Sequence, residues 1–252
     1  MRKAIEVHGV TYTAAGRPIL NDVSMEVGEG EFVGVIGPNG SGKSTLLKNI
    51  YKVLSPAKGK ILLYGQDIQK LTNRQAASRL AVVAQENSAN FDFTVEEVVS
   101  MGRYPSKKML DTLDEQDSAI IQQVIRSVGI EAFAKHSFLH LSGGEKQRAL
   151  IARAMAQQTE IIVLDEPTNH LDIGSQIHTL RMLKSSGKTI LAALHDLGTA
   201  SRCCDRIYVM QEGAILCSGK PKDIITKPLI EALYHIQADI FDHNEKLFID
   251  FY

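Results

Sequence analysis

The chain of 252 residues has little that could hold it together from outside its own core. Its three cysteines, Cys203, Cys204 and Cys217, are too few and wrongly spaced for a disulfide framework or a CxxC zinc site. They read as small buried or surface side chains. Long hydrophobic runs are missing too: Leu80 to Ala84 and Ile190 to Leu194 fall far short of the roughly 18 residues a spanning helix needs. Arg2 and Lys3 have the charge of a signal-peptide start, but Glu6 and His8 interrupt any apolar segment behind them. The chain is therefore expected inside the cell, and not to cross a membrane alone. Charge of one sign is also absent, with 28 basic and 29 acidic residues and a net charge of −1. Nucleic acid, whose binders usually show a basic excess, is not an expected partner. What remains is an ordinary foldable composition, 44% hydrophobic and 23% charged, which excludes disorder and a collagen-like fibre. A chain this long buries roughly 70–75% of its unfolded surface, enough for a large core and a small subdomain.

What is present is an α/β pattern. Turn signals at Ala15-Gly16 and Gly28-Glu29-Gly30 divide the N-terminal region into two or three short strands that lead into the apolar run Phe32 to Ile36. A glycine-rich loop follows, then a helical pattern from Lys43 to Leu54; strand, Gly-rich turn and helix open a parallel α/β sheet. Further strands are expected at Lys60 to Leu63, Leu80 to Ala84, Ile161 to Leu164, Thr189 to Ala193 and Arg206 to Met210. Several have the continuous apolar character of strands buried on both faces. Between about Ser88 and Gln158 the pattern is helical, at Val95 to Met101, Glu115 to Val128 and Gly144 to Ala156, which reads as a helical subdomain inserted in the α/β core. No internal repeat stands out, and the stretch after Ile224 reads as an appendage of one helix and short strands.

Three places carry chemistry. Gly37-Pro38-Asn39-Gly40-Ser41-Gly42-Lys43-Ser44-Thr45 satisfies GxxxxGK[ST] directly after an expected strand and before an expected helix. The glycines let backbone N–H groups turn inward around β- and γ-phosphates, and the helix adds its positive N-terminal end. Lys43 supplies a mobile charge to the phosphate oxygens, and Ser44 a hydroxyl ligand to Mg²⁺. Asp165 and Glu166 close the run Ile161-Ile162-Val163-Leu164, at the strand edge where ligands gather in open α/β sheets. Alone, such a pair is often solvated turn chemistry. Beside a phosphate loop, Asp165 suits holding Mg²⁺ through a water, and Glu166 polarising the attacking water. Ser142-Gly143-Gly144-Glu145 is a capping-box pattern, and so by itself a well-capped helix. Its glycines also bare backbone N–H groups, which makes a second anion site of the helix N-terminus type. With one nucleotide's phosphates already held at Gly37 to Thr45, a second grip far downstream points to a site shared between two molecules.

These elements, in this order, resemble the ATP-binding cassette family over nearly the whole chain. Gly37 to Thr45 is similar to its Walker A loop, Ile161 to Glu166 to its Walker B strand, and Leu141 to Glu145 to its signature motif. Tyr12 resembles the family's adenine-stacking aromatic, Gln85 the Q-loop glutamine, His195 the switch histidine, and Asn169-His170-Leu171-Asp172 the D-loop. Taken singly, Tyr12 reads as a packed strand residue, His195 as a structural histidine and Gln85 as a loop amide. Only their order around the phosphate and acidic elements assigns them. The resemblance implies an α/β fold of the P-loop NTPase (RecA-like) kind, with a parallel-sheet core, an N-terminal antiparallel β subdomain and an inserted α-helical subdomain. It implies one ATPase domain over residues 1–252, with the helical signature subdomain at about 88–158 and a short appendage at about 225–252. ATP and Mg²⁺ are the implied ligands. The implied assembly is a head-to-tail homodimer, each ATP enclosed by the loop of one copy and Ser142, Gly143, Gly144 and Glu145 of the other. Glu166 is then the general base for water, His195 holds the γ-phosphate, Gln85 senses it beside Mg²⁺, and Ser44 and Asp165 complete the metal's surroundings.

Finer segments narrow the resemblance. Phe93-Thr94-Val95, Met101-Gly102-Arg103-Tyr104-Pro105 and Thr168 to Ile173 are similar to importers of iron siderophores, haem and vitamin B12, although Ser106 stands where that subfamily often has His. Gly102 to Pro105 is also what a plain helix-ending turn contains. The resemblance implies an ATP-hydrolysing importer motor, for a ferric siderophore or another iron complex. Haem or vitamin B12 import is the alternative, and, from a different class, a soluble cassette ATPase of an assembly or repair system. An importer motor works with integral membrane permease subunits and, indirectly, a substrate-binding protein. That places the chain on the cytoplasmic face of the cell membrane, with Asp92 to Arg103 as the expected docking surface. The stretch after Ile224 is too short for a regulatory barrel, so no small-molecule sensing is expected.

Overall fold

Ala15 and Gly16 both take positive φ, 47° and 76°, the backbone of a two-residue turn that matches the right-handed twist of a hairpin. In the computed structural model, which describes residues 2–84, 92–108, 111–168, 171–243 and 246–252, this turn joins β1 (Lys3–Ala14) to the antiparallel β2 (Arg17–Gly28). Each strand has 12 residues, longer than the short strands expected. Gly9 sits at φ 60° where the register shifts between Val7 and Val10, and the bulge lets β1 run on. Next come β3 (Phe32–Ile36), buried at all five positions, and α1 (Lys43–Ile50). Helix α1 stops at Ile50, short of Leu54: Lys52 turns left-handed at φ 63°, a stop that no Gly or Pro announces. The strands β4 (Lys58–Leu63) and β5 (Gln66–Asp67) complete an antiparallel sheet of order β2-β1-β4-β5. These elements belong to a unit made of Met1–Thr72 and Lys188–Tyr252.

A second unit, Asn73–Gly187, lies between those two chain segments. It holds α2 (Asn73–Ala77), β6 (Leu80–Val83), α3 (Val95–Ser100), α4 (Glu115–Ser127), α5 (Gly143–Ala156), β7 (Ile161–Asp165) and α6 (Ile173–Ser185). Strands β6 and β7 pair in parallel, and α3, α4 and α5 pack on one another. All three helices open with a capping box, formed by Thr94 and Glu97, Asp114 and Asp117, and Ser142 and Glu145. Helix α4 then buries Asp117, Ile120, Ile121, Val124 and Ile125, the i, i+3, i+4 stripe of a core-facing helix.

The buried Asp117 explains Arg103. Expected on a docking surface, Arg103 is instead interior, only 8% exposed, on the 3-10 turn Met101–Ser106. Its Nε donates to Asp117 Oδ1 at 2.9 Å, and its guanidinium also donates to the Ala156 carbonyl at 2.5 Å and Gln158 Oε1 at 3.2 Å. Asp117 further accepts from Lys107 and from the Asp114 N–H. Burial alone would raise this carboxyl's pKa, but the hydrogen bonds from Lys107, Asp114 and Arg103 outweigh it and hold it far below the usual carboxylate range. Gly102 belongs to the same packing, since a Cβ there would lie 2.1 Å from the Arg153 carbonyl oxygen.

The chain then returns to the first unit with β8 (Thr189–Ala193), α7 (Leu197–Cys203), β9 (Arg206–Gln211) and β10 (Ala214–Gly219). Strand β3 pairs in parallel with both β8 and β9, and β10 runs antiparallel to β9. Strands β3 and β8 are buried throughout, as their unbroken apolar runs require. The cysteines are free thiols, with Cys203 and Cys204 buried. Last come α8 (Pro221–Ile224), α9 (Lys227–Tyr234) and the hairpin of β11 (Ala238–His243) and β12 (Lys246–Phe251). Parallel strands, an antiparallel N-terminal sheet and a helical insertion make up the α/β P-loop NTPase class. Among the described residues no helix is long and apolar enough to cross a membrane.

Candidate functional site

Parallel pairing of β3 with β8 sets Val35 opposite Ala193, so the glycine loop and His195 leave the sheet at the same C-terminal edge. Gly37 cannot be replaced there, because a Cβ would meet the Met210 carbonyl oxygen at 2.1 Å. Gly42, at φ 103°, begins α1 with no side-chain cap, and the first helical turn holds no acid. The N–H groups and positive end of α1 are thus left to an anion. Lys43 is buried, its ammonium donating to the carbonyls of Gly37 at 2.8 Å and Pro38 at 3.0 Å. Asn39 and Gly40 form the exposed tip, and Ser44 and Thr45 are half-buried. Two neighbours brace the loop. The Ser41 carbonyl accepts the Gly213 N–H at 3.0 Å, and the Gly213 carbonyl accepts the Asn21 N–H at 2.9 Å. Leu20 reaches within 3.0 Å of where a Gly42 Cβ would lie, and Tyr12 pairs across the hairpin with Leu20. His195 is exposed; Asp196 beside it caps α7, accepting the Gly198 and Thr199 N–H groups at 3.2 and 2.7 Å.

In the second unit Asp165 ends β7, 1% exposed, and Glu166 follows at φ 55°. The left-handed region costs a residue with a Cβ about 1–2 kcal/mol, and such strain concentrates where a side chain must be aimed. No sequence signal marks it. At the start of α5, the Ser142 N–H and hydroxyl both donate to Glu145 Oε2 at 2.8 Å, and the Glu145 N–H donates to Ser142 Oγ at 3.4 Å. These bonds from Ser142 hold the Glu145 carboxyl below its ordinary pKa. Gly143 and Gly144 form the first turn, beside a cleft of about 390 Å³ lined by Phe133, Lys135, His136, His140 and Glu145. The two helix starts therefore differ: α1 is open to an anion, whereas α5 carries its own carboxylate. Asp172 caps α6 through the Ser175 N–H at 2.9 Å. Gln85, Asn169 and His170 lie outside the described residues.

The profile of the ABC transporter family matches residues 20–169. The chain is 39% identical over 240 residues to the cobalamin import ATP-binding protein BtuD of Halobacterium salinarum, a match covering 94% of this chain and 60% of that protein. It thus spans less than two thirds of that relative's length. Over 228 residues it is 38% identical to the ferric enterobactin transport ATP-binding protein FepC of Escherichia coli, covering 89% of this chain and 84% of the relative. An ATP-binding cassette solved as a dimer in a post-hydrolysis state, bound to ADP and Pi, superposes with a TM-score of 0.76 at 28% identity, over 86% of this chain and 98% of that one.

Proposed function

The chain belongs to the ABC transporter family, and on that premise we propose that it hydrolyses ATP as the motor subunit of an importer of a ferric siderophore or another iron complex. The observation that carries the reading is the phosphate loop: an uncapped, acid-free helix start behind a glycine that admits no side chain, with Lys43 at its mouth. Relatives that import ferric enterobactin and cobalamin support the cargo class, and the 39% match to the cobalamin ATPase favours cobalamin as the second reading.

Lys43 turns from its two carbonyls to the β- and γ-phosphates, and the α1 amides hold the same oxygens. Tyr12 stacks on the base. Ser44 and Asp165 fit a magnesium ion, since a hydroxyl and a carboxylate are the hard oxygen donors it takes. Bound Mg²⁺ supplies positive charge against the phosphate oxygens. Glu166 accepts the proton of the attacking water, His195 donates to the γ-phosphate, and Gln85 senses that phosphate. A second copy supplies Ser142 to Glu145, whose serine hydroxyl turns from Glu145 to a phosphate oxygen. Integral permease subunits hold the dimer at the cytoplasmic face of the membrane, and a substrate-binding protein delivers cargo to them. Loss of a general base lowers rates by roughly 10²–10⁴-fold. Glu166→Gln is therefore expected to keep ATP affinity, lose turnover on that scale and accumulate as a dimer in size-exclusion chromatography. Near-normal turnover would remove Glu166 from the role.

A further inference from the structure

Strand β9 reaches the phosphate loop through its register with β3: Val209 pairs with Ile36, so Met210 falls beside Gly37, where its carbonyl oxygen fills the space of a Cβ. Just beyond, the chain turns into β10. Glu212 and Gly213 take φ 48° and 80° between the paired Gln211 and Ala214, the same kind of two-residue turn that joins β1 to β2. The Gly213 N–H is not spent inside this hairpin: it donates to the Ser41 carbonyl at 3.0 Å. The turn is itself anchored on β2, since the Gly213 carbonyl accepts the Asn21 N–H at 2.9 Å and a Cβ at Gly213 would lie 2.5 Å from the Ile19 carbonyl oxygen. Strand β2 thus fixes the turn, and the turn fixes Ser41. The Ser41 carbonyl and the Gly42 N–H belong to one peptide unit, and in a planar trans peptide these two groups point opposite ways. Holding the carbonyl against the hairpin therefore aims the Gly42 N–H away from it. Gly42, at φ 103°, has no Cβ to oppose rotation of this peptide. Turned over, the unit would present a carbonyl oxygen where an anion needs a donor.

We infer that Gly213 is a positioning residue of the phosphate loop: its N–H holds the Ser41 carbonyl to the β9–β10 hairpin and so fixes the direction of the Gly42 N–H, one of the donors offered to the phosphates at the start of α1. This rests on the reading that Gly37 to Thr45 binds ATP. A turn that follows no nucleotide-binding pattern thereby acts on the nucleotide through the backbone alone.

The chain carries its own control. Tyr64 and Gly65 form the same turn between β4 and β5, at φ 49° and 76°, and a Cβ on Gly65 would meet nothing within 4 Å. Gly65→Ala therefore imposes left-handed strain alone, whereas Gly213→Ala adds the collision with Ile19 and displaces the donor. A third variant carries glycolic acid at position 213, which puts an ester oxygen in place of the N–H and adds no atom to the seam. Each is compared with wild type by thermal melting, binding of a fluorescent ATP analogue and steady-state hydrolysis. A donor to the phosphates acts before and during the reaction alike, so its loss raises KM and leaves kcat in place. Gly213→Ala and the ester variant are expected to weaken nucleotide binding and raise KM about tenfold or more, the scale of one hydrogen bond to a charged group, with kcat within about threefold. Gly65→Ala is expected to melt at a lower temperature but to keep KM and kcat within about twofold. Nucleotide binding by the ester variant within about twofold of wild type would overturn the inference, whether or not Gly213→Ala folds. An equal rise of KM in Gly65→Ala, or a fall in kcat with KM unchanged, would overturn it as well. Failure of wild type to bind ATP would overturn the reading of the loop, and the inference with it.

Discussion

Arg103 carries two opposite readings, and its surroundings decide between them. A charged residue in Met101-Gly102-Arg103-Tyr104-Pro105 invites a partner-facing role, yet its guanidinium is spent on Asp117, Ala156 and Gln158 inside the helical unit. Without Arg103 the Asp117 carboxylate keeps its bonds from Lys107 and the Asp114 N–H, so the loss is that of hydrogen bonds to a charged group, about 1.5–3 kcal/mol. Arg103→Ala is expected to destabilise by that amount in denaturant unfolding. Tyr104→Ala, at a side chain 55% exposed, should stay within about 0.5 kcal/mol. The sign of the pH dependence follows from Asp117. Its folded pKa lies below the ordinary 3.8, so its contribution is complete above that value and is lost as pH falls beneath it. Wild type should lose stability on acidification below about pH 4 more steeply than Arg103→Ala, as read from melts at a series of pH values. None of this was legible from the motif, because burial of a charge depends on a partner on α4. The φ of Glu166 was hidden for a related reason: it is set by tertiary surroundings and has no local signature.

At the scale of elements, local chemistry was more readable. Ser142-x-x-Glu145 foretells its capping box because both bonds lie within one turn, and β3, β8 and β7 declare themselves by runs too apolar to face water. Boundaries read less well: Gly9 bends β1 without ending it, and α1 ends where neither Gly nor Pro stands. The matched boxes of α3 and α5 allow a paired experiment. Thr94→Ala and Ser142→Ala should each cost about 1 kcal/mol of stability, the worth of an N-cap hydroxyl. Only Ser142→Ala should also lower ATP turnover, since only that hydroxyl is assigned to a phosphate. Equal effects of the two variants on turnover would confine Ser142 to capping.

For the whole molecule, the proposal requires a partner that crosses the membrane, because no described helix can. Isolated from its own cells, the chain is expected to fractionate with membranes and to co-purify with an integral protein, with detergent extraction needed to release the pair. Recovery in the soluble fraction alone, with no integral protein attached, would favour the assembly or repair class over transport.

Two glycines in different units are held to the same standard of fit. A methyl group at Gly37 or at Gly102 would approach a carbonyl oxygen to 2.1 Å, Met210 in one case and Arg153 in the other. In a saturation-mutagenesis survey of this chain both positions would therefore behave as closed to every substitution, and by that measure alone they would be ranked together. Only one of them is assigned to a nucleotide. Intolerance at Gly102 reports how closely the 3-10 turn lies against α5, so a map of selection pressure drawn over this fold outlines its tightest seams as sharply as its chemistry.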